Sequence, residues 1–482
     1  LYSVMYRSLL SLSLIAIWAL IAPLPPIYSD PTISLPDGPS RQPVQSQVCY
    51  GELGCVIPAE FFDPVHRPFI ANPLTIEQIN TSLWMFTRDN PLVGKRLDIG
   101  SETDLMNVDV DRKLHVITHG LSSESTAEWI KDMTAALLRV GDFTIITVNW
   151  KDGASLESIG IHGYPIILVN MRVVALQVAY FLKRLKELKS LEFPNVHMIG
   201  HSLGSHISGY VGAQLPGIGR ISGLEPPYIQ FEGLPPAAHI DKTDALFVDI
   251  IHADARTKQH VGVGYSGQIG TVDFYPNGGS VQAGCGFKQI IRDLLSFQKD
   301  DILGPFLCSH RLVNQMYIAS IDECDMVAHP CDTYEHFTQG VCNVCGNNGR
   351  SCLLMGYRAL ENSSIRIDTK YFLPAGPRES ICRHSYFVKL ELGSVFDTPV
   401  ALTGTLGVHL QGSQGILNSL EISQSPISLV QPSTNMVFGA GNIDVGNIHK
   451  IKVSWRNSKP WGMLFPRPLV VQYISVIKAA KI

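Results

Sequence analysis

The chain has 482 residues, of which 45% are hydrophobic and 17% charged, against about 25% charged in an average soluble domain. That composition excludes a disordered chain and supplies core material for about three domains at roughly 150 residues each. The net charge is −4, from 38 Lys and Arg against 42 Asp and Glu, so nucleic acid is not an expected partner; polyanion binders are basic.

In chain order, Arg7, an apolar run over residues 9–22 and the breakers Pro23, Pro25 and Pro26 read as a secretory signal over residues 1–29. The run is shorter than the roughly 20 apolar residues a membrane span needs. A secreted, extracellular protein is the expectation. The first residue is Leu1, Met5 is a candidate initiator, and residues 30–48 are a Pro/Ser-rich lead-in. Ten cysteines fit export. Close spacing pairs Cys49 with Cys55, Cys285 with Cys308, Cys331 with Cys342, and Cys345 with Cys352, and elimination leaves Cys324 with Cys382. Asn80 and Asn362 open glycosylation sequons.

From residue 114, short apolar runs alternate with helical patterns. Residues 114–120, 144–150, 195–201, 220–226 and 246–252 read as buried strands, each ending in a turn or a polar group, with a long helix over Tyr164–Lys189 between them. Alternation of this kind predicts an α/β fold with parallel strands and ligands at the strands' carboxyl ends. From about residue 385 the pattern switches to period 2, which predicts a C-terminal β-sandwich. The last predicted strand stops near Ile482, where one more is expected.

Gly200-His201-Ser202-Leu203-Gly204 is a G-x-S-x-G nucleophile elbow between a predicted strand and a predicted helix. The turn projects Ser202 above the sheet, and the Leu203 N–H at the helix start points at a developing oxyanion. A serine hydroxyl needs a base, oriented by an acid that precedes it in the chain. Glu225 and Asp249 are the candidate acids, with Glu225 better placed at a strand end. His252, His260, His310 and His329 are the candidate bases.

With CYGELGC, THG, VNWKDGA, NVHMIGHSLGSHISG, GRISGLEPP, DALFVDIIHAD, VDFYPNGG and CSH in order over residues 48–355, the chain resembles the pancreatic lipase family. The resemblance implies an α/β-hydrolase domain over residues 30–383 and a PLAT-type sandwich over residues 384–482. It implies Ser202 as nucleophile, Glu225 as acid, His310 as base, and Leu121 and Leu203 as backbone oxyanion donors. The family usually carries Asp where this chain has Glu225, which leaves Asp249 able to share the role. Within residues 286–307, Phe287, Ile290, Ile291, Leu294 and Leu295 form a helical apolar stripe; tethered between Cys285 and Cys308, it resembles the family's lid. Asp241 and Asp244 suit calcium by spacing, and the resemblance adds the carbonyls of Pro236 and His239. The expected substrate is an acylglycerol at a lipid–water interface, with triacylglycerol first and phospholipid (A1 position) or galactolipid as alternatives. A colipase-like partner is compatible with this reading. A catalytically silent lipid-binding or storage protein on the same fold is the alternative of a different class.

Overall fold

The computed structural model describes residues 45–160, 163–257, 260, 262–286, 307–342, 345, 351–359, 369–393, 399–422, 426–458 and 468–478. Residues 1–29, expected as a signal, nearly all of residues 286–307, expected as a lid, and Asn362 lie outside the described residues. The described chain divides into two compact units: residues up to Ile250 with Val263–Thr271, and Ile251–Gly262 with Val272 onward.

The first unit opens with a short ladder of β1 (Val48–Cys49) and β2 (Cys55–Val56), closed by the Cys49–Cys55 disulfide. Its sheet is built from β3 (Ser82–Thr87), β4 (Asn90–Leu97), β5 (Leu114–Thr118), β6 (Thr144–Asn149), β7 (Val196–His201), β8 (Arg220–Leu224) and β9 (Phe247–Ile251), in the order β4-β3-β6-β5-β7-β8-β9. β6, β5, β7 and β8 are parallel neighbours, and β3 joins β6 antiparallel. All five expected strands are present. β5, β7, β8 and β9 are buried along their whole length, which is why they read as unbroken apolar runs rather than alternating ones. The helix Tyr164–Lys189 buries Ile167, Val174, Val178, Phe181 and Leu185 in the core of this unit. By length and composition it is apolar enough to cross a membrane, yet 72% of its most apolar window is buried, so it is a core helix.

The second unit contains β10 (Val272–Pro276), β11 (Val327–Cys331), β12 (Leu353–Leu354) and β13 (Lys370–Leu373), in the order β10-β13-β11-β12. It also holds the expected sandwich. One sheet orders as β17-β19-β14-β21, from Glu421–Ile422, Ser433–Gly441, His384–Leu392 and Val471–Lys478. The other orders as β16-β15-β18, from Gly415–Leu417, Val400–Gly412 and Ile427–Gln431, with β20 (Ile448–Asn457) also pairing β15. Their facing side chains, among them Tyr386, Val388, Leu390, Val408, Leu410 and Leu429, form a separate core.

Candidate active site

β7 is paired with β5 through Thr118↔Gly200 and with β8 through His201↔Leu224. The chain must turn sharply from its end into the helix Leu203–Gln214. Ser202 makes that turn at φ 55°, ψ −126°, a backbone conformation that costs a non-glycine residue on the order of 1–3 kcal/mol. Its N–H donates to Leu224 O at 2.9 Å, so the turn is held to the neighbouring strand. Gly204 has to lack a side chain because a Cβ there would run into the carbonyl oxygen of Thr118. Leu203 begins the helix, and N–H groups of the first turn lack intrahelical acceptors.

The turn after β5 comes close to the serine. A Cβ added to Gly120 would stand 2.6 Å from Ser202 Cβ and 3.0 Å from its Oγ, so Leu121 follows a residue in contact with the nucleophile. His119 braces this turn. Its Nε2 accepts from Trp150 N–H at 3.1 Å, which leaves Nδ1–H to donate to Gly120 O at 2.9 Å. The Trp150 indole in turn donates to His119 O at 2.9 Å and stacks on the ring at 17°. Burial pushes His119 down to about 4, so the ring stays neutral and keeps this pattern. The brace joins the segments THG and VNW, which stand 31 positions apart and share no local pattern that marks the contact.

Glu225 directly follows β8, is fully buried, and has φ 53°. Because His201 pairs with Leu224, Ser202 and Glu225 leave adjacent strands at the same level of the sheet. Asp249 lies within β9 and has another task. Its Oδ1 and Oδ2 accept from Arg220 Nε and Nη2 at 2.7 and 3.0 Å, and Ser222 Oγ also donates to Oδ1 at 2.8 Å. Both carboxylate oxygens are engaged in an ion pair inside the sheet.

Of the two elbow histidines, His201 meets Trp129 edge-on at 5.5 Å. His206 is buried against Phe231, and burial holds its imidazole well below the usual histidine range. The loop after Glu225 carries the four residues considered for calcium. Asp244 is buried, and its Oδ2 accepts from Asp241 N–H at 2.8 Å. Asp241 Oδ1 accepts from Thr243 N–H and Oγ1–H at 3.0 and 2.7 Å. Burial first, then the neighbouring Asp241 charge, raises Asp244 to about 7. Pro236 opens a short 3-10 turn that His239 closes, and the loop is clamped through its carbonyls. Arg172 Nη2 donates to Ala237 O at 2.5 Å, and Tyr210 Oη donates to Ala238 O at 2.6 Å.

His310 belongs to the second unit, in the first turn of the helix Cys308–Asp322, and is buried. The Cys285–Cys308 disulfide fixes the start of that helix. Ser309 Oγ accepts from Gln282 N–H at 3.0 Å, and Gln282 Nε2 donates to Ala253 O and Pro276 O at 2.9 Å each. The other three candidate bases are engaged elsewhere. His252 Nε2 lies 2.8 Å from Asp273 Oδ1 with its ring stacked on Tyr275. His260 Nε2 lies 2.7 Å from Asp254 Oδ1. His329 is buried, pushed down to about 4, with Nδ1 3.3 Å from Cys352 Sγ.

All five expected disulfides are formed, Cys324–Cys382 included, and none of the ten cysteines is free. Asn80 is exposed at a helix C-cap, with its Nδ2 donating to Asp152 at 2.9 Å.

A family model described as Lipase matches residues 46–379. The inactive pancreatic lipase-related protein 1 of Mus musculus is 34% identical over 424 residues, 85% of each chain. The pancreatic lipase-related protein 2 of the same organism is 32% identical over 85% of this chain and 84% of its own. The pancreatic triacylglycerol lipase of Myocastor coypus is 33% identical over 86% and 89%. Among solved structures, the Pyrococcus furiosus esterase Pf2001 is 18% identical over 39% of this chain and 77% of its own, with a TM-score of 0.22. With an α/β-hydrolase sheet, a serine elbow at its carboxyl edge and a family match over most of its length, the chain belongs to the pancreatic lipase family.

Proposed function

We propose that the protein is a secreted hydrolase of lipid carboxylic esters, with triacylglycerol as the first substrate. The observation that carries the reading is Ser202, held at positive φ against Gly120 at the end of a central parallel strand. In this reading Ser202 Oγ attacks the ester carbonyl while His310 takes its proton. The N–H groups of Leu203 and Leu121 hold the oxyanion. His310 returns the proton to the departing alcohol, and water then cleaves the acyl-enzyme by the same route. Glu225 orients the imidazole and stabilises its charged form. It is favoured over Asp249, whose two oxygens are engaged by Arg220. The five disulfides support an oxidising, extracellular location.

Calcium fits the loop between β8 and β9. Asp241 and Asp244 would hold it together with the carbonyls of Pro236 and His239, and a cation there would offset two neighbouring carboxylates, one of them buried. Its contribution is electrostatic support of the loop that follows Glu225.

The second reading is a silent member, favoured by the 34% identity to a relative named inactive. Hydrolysis of emulsified trioleoylglycerol, with Ser202→Ala as control, decides between them. Release of fatty acid that disappears in the variant supports the enzyme, and equal rates in both support the silent protein. Phosphatidylcholine measured alongside sets the substrate preference.

A further inference from the structure

His206 stands one helical turn beyond Ser202, and the hydrolytic chemistry leaves it without a task. It is fully buried, and its ring stacks on Phe231 with centroids 3.8 Å apart at 21°. Both ring nitrogens serve loop backbone rather than its own helix. Nδ1 accepts from the Ile240 N–H at 3.1 Å. A nitrogen that accepts in a neutral imidazole carries no proton, so the proton is on Nε2, which donates to Pro227 O at 3.1 Å. Pro227 is two residues beyond Glu225. Ile240 belongs to the distal part of the same loop. One imidazole therefore ties the nucleophile's helix to both ends of the segment that the acid begins.

The acid's turn needs such a tie. Glu225 sits at φ 53°, and a non-glycine side chain keeps that conformation only where its surroundings over-determine it. The backbone past it is also strapped by Tyr265 N–H to Pro226 O at 2.8 Å and Tyr228 N–H to Val263 O at 2.9 Å; neither strap reaches the elbow helix. Volume alone does not explain His206, since a phenyl ring would fill the same stack. What the imidazole adds is a donor and an acceptor facing two separate backbone segments.

We infer that His206 is a positioning residue for the hydrolysis, fixing the turn that presents Glu225 relative to the helix that presents Ser202. The inference rests on the reading of Glu225 as the acid. Glutamate reaches one methylene farther than aspartate, so the depth at which its turn is held decides where the carboxylate arrives.

The test measures kcat and KM on p-nitrophenyl butyrate, with thermal unfolding alongside, for the wild type, H206F, H206Q, E225A and the E225A/H206F double variant. H206F keeps the ring stack and loses both hydrogen bonds; kcat falls about ten- to a hundredfold with KM within about twofold, the size expected of a misplaced catalytic group. H206Q restores a donor and an acceptor and recovers most of kcat. In the E225A background H206F changes kcat by less than about twofold, because a residue acting through the acid has nothing left to place. The same fold loss in both backgrounds, or an H206F enzyme with wild-type kcat, overturns the role of His206. Wild-type turnover in E225A overturns instead the reading of Glu225 on which it rests. Should H206F not fold, H206N, whose side chain is too short to reach Pro227, is judged in both backgrounds by the same criterion.

Discussion

Ser202 and Glu225 hold positive φ of 55° and 53° at the ends of adjacent strands. Strain at two neighbouring non-glycine positions is kept where chemistry uses the resulting geometry. Ser202→Ala is expected to lower turnover by several orders of magnitude without loss of thermal stability, measured on a soluble ester beside a melting curve. Glu225→Asp should keep much of the activity and Glu225→Ala should lose most of it; turnover indifferent to the side chain at 225 would remove it from the mechanism. Asp249 behaves differently. Asp249→Asn leaves Arg220 buried and uncompensated, which costs about 3–5 kcal/mol. Chemical denaturation should show that loss, while kcat per folded molecule stays close to wild type. A large fall in kcat with unchanged stability would instead return Asp249 to candidacy as the acid.

At the scale of the element, the central strands carry buried histidines that couple the sheet to pH. His115 on β5 is pushed down to about 3 by burial and lies 5.2 Å from His197 on β7, also lowered by burial. Their ordinary value is near 6.5. Between about 6.5 and 3 the unfolded chain takes up protons that the folded chain refuses, so this stabilisation is present above 6.5 and is lost as pH falls. The melting temperature should drop between pH 7.5 and pH 4, with a shallower drop in His115→Phe; parallel curves for the two proteins would refute the coupling. The loop between β8 and β9 gives a second measurement. Calcium should raise the melting temperature, and Asp244→Asn should remove most of the increment; an equal increment in the variant would place the ion elsewhere. These elements were legible in the sequence because buried parallel strands are unbroken apolar runs and the elbow is a local motif. The His119–Trp150 brace was not, because it joins residues 31 positions apart. The β3–β4 hairpin was also missed, since its antiparallel addition to β6 is a tertiary choice.

At the scale of the molecule, the change of periodicity near residue 385 was legible, but the packing behind it was not. Within the second unit, Phe387 and Phe438 of the sandwich join Tyr275, Phe337 and Phe372 in one aromatic cluster, with Phe337 and Phe438 at 4.4 Å. No local pattern encodes a contact among residues so far apart in the chain. A chain ending at Arg383 would lose Phe387 and Phe438 and expose Tyr275, Phe337 and Phe372, so it should be less stable than the whole protein and prone to aggregation. The single change Phe438→Ala should cost about 3–5 kcal/mol, read as a shifted denaturation midpoint; an unshifted midpoint would mean the cluster contributes little. The disulfides set out above have a consequence for redox sensitivity. The bridges span 6, 23, 58, 11 and 7 positions, and residues beyond Cys382 include no cysteine. A reducing environment therefore acts directly on residues 49–382, and residues 383–482 keep their covalent structure whatever the redox state.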